Sequence, residues 1–208
     1  VTDTTRGVLL RNEGGLFVDA TLAAGLDKPM EGWGCVWLDA DNDGWLDLYV
    51  SGGYGLDDTL WRNDGDGTFT DLGAQAGANG GLWSLGVAAG DYDGDGAVDL
   101  LVADAGERYR LHRNLWGGGG WIGLRLVGAG VGGRDAVGAR VWVTTDDGRV
   151  QTRHVSIGGS MGSGDDTGLH FGLGAAEVSS IRVRWPDGVE EWVEAPGNAW
   201  SEVARSAP

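Results

Sequence analysis

DADNDGWLD, Asp39 to Asp47, sets aspartate at positions 1, 3, 5 and 9 of nine and glycine at position 6. DYDGDGAVD, Asp91 to Asp99, repeats the pattern D-x-D-x-D-G-x-x-D. Four carboxylates held this close repel one another unless some stay protonated or a cation neutralises them. Ca²⁺ resolves the conflict well, because it takes about six to eight oxygens in flexible geometry and a short loop can supply most of them. Mg²⁺ demands a smaller octahedron and keeps its waters, so it fits less well. The expected ligands are Asp39, Asp41, Asp43 and Asp47 in one loop and Asp91, Asp93, Asp95 and Asp99 in the other. The backbone oxygens of Trp45 and Ala97 complete each set from position 7, just past the turn at Gly44 or Gly96. An EF-hand is excluded: its loop closes on a glutamate at position 12, where this chain has Val50 and Val102. Two calcium sites between strands are therefore expected.

The loops belong to a longer repeat. Arg-Asn pairs recur at Arg11-Asn12, Arg62-Asn63 and Arg113-Asn114, two steps of 51 residues, and the acidic loops are 52 apart. Two full units run from about residue 9 to about residue 113, and a third begins and then diverges. GCVWL enters the first loop and LDLYVSG leaves it with alternating apolar residues, the signature of half-buried strands. TLWRN, a Gly-Asp turn (NDGDG, Asn63 to Gly67) and GTFTD read as a hairpin. DATLAAGL and DLGAQAGA each read as a single helical turn. About four strands per unit is the size of a propeller blade, and two units and a fraction cannot close a ring. Beyond Trp121 six more strand-like segments follow without the repeat, from WIGLRLVG to EEWVEA, and read as a separate small sandwich or barrel. The expected fold is all-β: open, propeller-blade-like repeats over 1–116 and a β-sandwich or barrel-like unit over 117–208.

Composition narrows the function. Forty-one glycines without a collagen period fit many tight turns. A net charge of −16 disfavours nucleic acid and anionic lipid as partners. No apolar run is long enough to span a membrane. The single cysteine, Cys35, cannot form an internal disulfide and reads as a small buried residue. The chain starts at Val1 rather than Met, which reads as a processed or excised product. Eleven tryptophans in a glycine-rich fold are expected mostly to fill the interior, and any left exposed would suit sugar stacking or an interface.

Residues 9–116 resemble the FG-GAP/VCBS repeats, which set a D-x-D-x-D-G-x-x-D calcium loop between the first strands of a blade; LWRNDGDGTFTD resembles their hairpin. GRDAVGARVWV (Gly133 to Val143), LHFGLG (Leu169 to Gly174) and VRWPDG (Val183 to Gly188) resemble the ASPIC/UnbV domain. That family often carries Ser-Gln near GGSMGSGDD, where this chain has Ser163-Gly164. The resemblance implies calcium binding and association rather than a reaction.

The remaining motifs have plainer readings. GGGG, Gly117 to Gly120, lacks the lysine and helix of a phosphate loop and reads as the linker between the halves. Asp146-Asp147 reads as a turn and Asp165-Asp166 as a solvated loop. His112, His154 and His170 are scattered, His170 in a packed strand, and no motif suggests a Ser-His-Asp set. No catalytic residue is assigned. The expectation is a non-enzymatic, secreted or surface calcium-binding structural or adhesion protein, acting as a homo-oligomer or filament or on other surface proteins. The alternative is a lectin-like carbohydrate-binding module using exposed tryptophan.

Overall fold

A computed structural model describes residues 6–29, 32–53, 55–80, 83–106, 109–116, 118–130, 133–159 and 164–206. Gly117 and Ser163 lie outside them. Sixteen strands are assigned among the described residues, in five open sheets with no helix.

The first acidic loop joins β3 (Cys35–Leu38) to β4 (Asp47–Val50), and β5 (Thr59–Asn63) and β6 (Phe69–Asp71) complete an antiparallel β3-β4-β5-β6 sheet. The second loop joins β7 (Ser84–Gly90) to β8 (Asp99–Asp104), and β9 (Tyr109–His112) ends a three-stranded sheet. A hairpin of β1 (Leu10–Glu13) and β2 (Leu16–Asp19) precedes both. Its register, Arg11 opposite Val18 and Asn12 opposite Phe17, matches Arg62 opposite Thr70 and Asn63 opposite Phe69 one repeat later.

The blades are thus cut differently from the sequence repeat. Each acidic loop joins the first two strands of a blade, so residues 10–19 correspond to the outer half of a blade. The second blade has three strands rather than the expected four. Asn114 is followed by Leu-Trp-Gly, not by the Asp-Gly turn that folds β6 back onto β5. That NDGDG turn is as expected: Gly65 and Gly67 adopt positive φ, and Asp64 accepts from Arg62 and Thr70.

Both expected helical turns form. Ala24 N–H reaches Ala20 O, and Leu26 N–H closes on Thr21 O around a left-handed Gly25. Ala76, Ala78 and Gly77 repeat the arrangement, a Schellman closure in both cases. The first turn packs on the first blade, where Ala24 and Leu26 share a core with Val50 and Trp61, and Cys35 is half-buried at its margin. The facing sides of the two blades share a second core of Val36, Leu38, Tyr49 and Leu60 with Val87, Leu100 and Val102.

The later strands form a sandwich. In one sheet β10 (Gly120–Val127) lies between antiparallel β13 (Leu169–Gly174) and parallel β16 (Trp200–Ala204). The other is antiparallel, in the order β12 (Val150–His154), β11 (Arg140–Thr145), β14 (Val178–Arg184), β15 (Glu190–Val193). Alternate residues of both sheets point into one core: Ile122, Leu124, Leu169 and Phe171 meet Val141, Val143, Ile181 and Val183.

The tryptophans depart from expectation. Only Trp61, Trp121 and Trp185 are buried; Trp37, Trp45, Trp83, Trp116 and Trp192 are exposed. Small aliphatic side chains fill the cores of these thin sheets. Several tryptophans lie instead under arginines, with Arg182 over Trp142 at 4.1 Å and Arg125 over Trp200 at 4.7 Å.

Candidate metal centre

The loop sequence dictates its own curl. Position 4 and position 6 both adopt left-handed backbone: Asn42 and Gly44 in the first loop, Gly94 and Gly96 in the second. Asparagine and glycine tolerate that region best. The curl brings donors of Asp39, Asp41 and Asp43 within 4.8 Å of one another, and likewise Asp91, Asp93 and Asp99.

The other expected ligands are placed differently. Asp47 is buried and accepts from Ala40 N–H at 2.8 Å and Asn63 N–H at 2.7 Å, so it ties the loop to the hairpin. Asp99 does the same with Tyr92 and Asn114 while staying in its cluster. Asp95 lies outside the second cluster; Arg113 spans Asp93 at 2.6 Å and Asp95 at 2.9 Å. Its repeat equivalent, Arg62, turns away to Asp64. Trp45 and Ala97 hold position 7 and donate their N–H groups to Asp43 and Asp95.

The residues present fit a cation best at the first loop. Asp39 is 2% exposed. Its Oδ2 accepts from Gly44 and Gly172 N–H, whereas its buried Oδ1 has no hydrogen-bond partner among the described residues. Burial, and then the Asp43 charge, push the Asp39 carboxyl up to about 7; burial also pushes Asp47 up to about 7 and raises Asp43. A buried anion with an orphaned oxygen is costly unless a positive charge is supplied. At the second loop both Asp91 oxygens are occupied, by Gly94, Asp95 and Gly96 N–H and by the Trp200 indole. Asp99 is raised by burial there too.

Sequence reasoning missed that both loops seat on the sandwich. Gly172 N–H reaches Asp39, Gly174 N–H reaches Asn42 O at 2.7 Å, and Arg149 donates to Asp43 O. A Cβ on Gly172 would lie 2.1 Å from Asp39 Oδ2, so only glycine fits. At the second loop Trp200 donates to Asp91 at 2.7 Å, and His170 Nε2–H donates to Gly96 O at 3.0 Å. Asn42 Nδ2–H donates to the same carbonyl and joins the two loops. The two glycines of LHFGLG, Gly172 and Gly174, are the seat, though nothing in that motif alone points to the first loop.

His170 is packed, as expected, stacked on Trp121 at 5.6 Å. Burial pulls it down to about 4. The unfolded chain takes up the proton near 6.5 and the folded one near 4, so stability falls as pH drops through that window. The Asp39 and Asp47 shifts act oppositely, so wild type is compared with a neutral variant, in which those shifts cancel, both in chelator. Measured by urea unfolding, wild type should lose roughly 2–3 kcal/mol relative to His170→Gln between pH 7 and pH 4.5.

The earlier expectation for Asp165 changes as well. Asp166 pairs with Arg125, but Asp165 is half-buried and accepts from Ala89 N–H, with its buried Oδ1 unpartnered among the described residues. Asp146 and Asp147 are the central residues of a turn closed by Gly148 N–H on Thr145 O, as expected.

Two acidic loops opening two blades and seated on a β-sandwich define the class. Residues 39–102 match the FG-GAP-like repeat family, and residues 130–203 match the ASPIC and UnbV family. Cartilage acidic protein 1 of mouse and of human are each 34% identical over 103 residues, 47% of this chain. The Xenopus tropicalis protein of that name is 33% identical over 108 residues, 50% of this chain. The matches cover 16% of the mouse and frog proteins and 15% of the human one, so the chain spans about a sixth of these relatives' length. No helix among the described residues is long and apolar enough to cross a membrane.

Proposed function

We propose that this chain is an extracellular calcium-binding structural or adhesion module, in which two ions stiffen the blades and their junction with the sandwich. The supporting observation is the buried, unpartnered Oδ1 of Asp39 within 4.8 Å of Asp41 and Asp43 donors. Asp39, Asp41 and Asp43 would hold one ion, with Asp47 anchoring the loop; Asp91, Asp93 and Asp99 would hold the other. Calcium supplies charge neutralisation there, not a reaction. Extracellular modules bind calcium at ~10⁻⁴ to 10⁻³ M. Calcium at about 1 mM then contributes roughly 0.4–1.4 kcal/mol per site.

Calorimetric titration should resolve two unequal sites. The tighter one belongs to the Asp39 loop, because Arg113 competes for Asp93 and Asp95 in the other. Because Asp39 and Asp47 hold protons up to about pH 7 without metal, calcium must displace them in acid. Affinity at that site should weaken about tenfold or more per pH unit below 7. No calcium binding at neutral pH, or binding unaffected by Asp39→Asn, defeats this reading.

The five exposed tryptophans support carbohydrate binding as the second reading. A glycan array tests it: hits lost on substituting one of those tryptophans favour it, and a blank array removes it.

A further inference from the structure

In the first blade Trp61 and Phe69 close over the Ala24–Leu26 turn, Phe69 N–H donates to Ala24 O, and Ala24 is 1% exposed. One repeat later the same turn is present. Ala76 N–H reaches Leu72 O, Ala78 N–H reaches Gly73 O, and Leu100 and Val102 stand at the register places of Leu48 and Val50. The cover differs. His112 lies opposite Leu100 as Trp61 lies opposite Leu48, so a smaller ring replaces the indole. The strand that carries Phe69 has no counterpart, because the chain passes from β9 to the sandwich.

An open recess of about 330 Å³ remains there, walled by Leu38, Leu60, Leu72, Ala76, Ala78 and Leu100. Ala76 is exposed where Ala24 is buried, and among the described residues its carbonyl has no donor to match Phe69 N–H. Among the described residues β9 pairs with β8 alone, so the edge that β5 gives to β6 is open in β9. Leu115 and Trp116 stand at the mouth, 81% and 43% exposed, and do not fill the recess. Leu38, Leu60, Ala78 and Leu100 also belong to the core shared by the two blades, so the recess continues an interface that the molecule already makes.

We propose that this recess and the β9 edge form a docking site for an extended segment of another protein, added antiparallel to β9 as the fourth strand of the second blade. The segment carries a bulky aromatic residue opposite Asn114, as Phe69 lies opposite Asn63. This rests on the adhesion reading above and names one of its surfaces. Main-chain hydrogen bonds to the open edge supply affinity, and the recess selects the aromatic side chain. Burial of that ring supplies the driving force. The two segments of this chain that fit the pattern, Leu16–Asp19 and Phe69–Asp71, are already paired with β1 and β5, which leaves the place to a partner.

The peptide GDGTFTDL, residues 65–72, is the probe, since it contains the strand that fills this place in the first blade. An NMR titration of the whole chain with this peptide, in millimolar calcium, tests the proposal. Amides of Ala76, Leu111 and Arg113 should shift, and those of Leu111 and Arg113, the counterparts of Leu60 and Arg62, should exchange more slowly in the complex. A peptide with Phe69→Ala should bind about tenfold more weakly or worse. The protein variant Ala76→Phe, which places a ring in the recess, should lose as much while titrating calcium like wild type. Should that variant unfold, His112→Trp replaces it and should bind the peptide more tightly, because it restores the indole on which Phe69 packs. No shift with several millimolar peptide overturns the proposal. So does equal binding of the alanine peptide, or an unchanged affinity in the variant used. Shifts in the recess without slowed exchange along β9 also overturn it, because they describe a side-chain pocket and not an added strand. Calcium titration of the same sample separates the two readings. Normal calcium binding with no peptide shift removes this site alone, whereas peptide binding by a chain that takes up no calcium keeps the site and removes the calcium reading.

Discussion

Asp39→Asn is expected to reverse the sign of its effect with calcium. In chelator at pH 7.5 the variant should be more stable than wild type; in millimolar calcium it should be less stable. In the metal-free fold Asp39 titrates at about 7 instead of 3.8. As pH rises from 4 to 7 the unfolded chain releases this proton and the folded chain does not, so the metal-free fold loses stability across that window. The full span corresponds to ~4 kcal/mol. Asparagine removes that cost but leaves an amide where the orphaned oxygen stood, so roughly 1–3 kcal/mol of net gain is expected in chelator. Calcium inverts the comparison, because only the carboxylate gains from it. Chemical denaturation of both proteins in both buffers checks this. A variant less stable in each buffer would mean that Asp39 serves only as a backbone acceptor.

Gly96→Ala should cost far more than Gly94→Ala, two residues away. Both glycines have positive φ, and alanine there costs ~1 kcal/mol. A Cβ at Gly94 meets nothing within 4 Å, whereas at Gly96 it lies 2.1 Å from the Trp121 ring. Overpacking of this kind adds ~1–3 kcal/mol. The expected totals are about 1 kcal/mol for Gly94→Ala and roughly 2–4 kcal/mol for Gly96→Ala. By thermal unfolding these become roughly 2–4 °C and 5–15 °C. Equal losses would show that the second loop does not press on the sandwich.

The acidic loops and the repeat were readable because they are local. Nine residues contain both the repulsion and its remedy, and the Arg-Asn pairs mark the period without knowledge of any contact. The phase of the blades was not readable, since a repeat can be cut anywhere until strand pairing fixes its start. Nor was the seat of the loops: Asp39 and Gly172 are 133 residues apart, and nothing in either segment names the other. The tryptophans misled because bulk suggests burial, while an indole under a guanidinium is also satisfied at a surface, as Trp142 beneath Arg182 shows.

The bonds from Asp39, Asn42, Asp43, Asp91 and Gly96 to the sandwich carry a mechanical consequence. The backbone passes from repeats to sandwich between β9 and β10. Rocking of the blades against the sandwich must therefore strain a seam of backbone and carboxylate hydrogen bonds. The stiffness of that hinge follows the charge state of a few aspartates, Asp39 and Asp91 among them, and not only the packing of either fold.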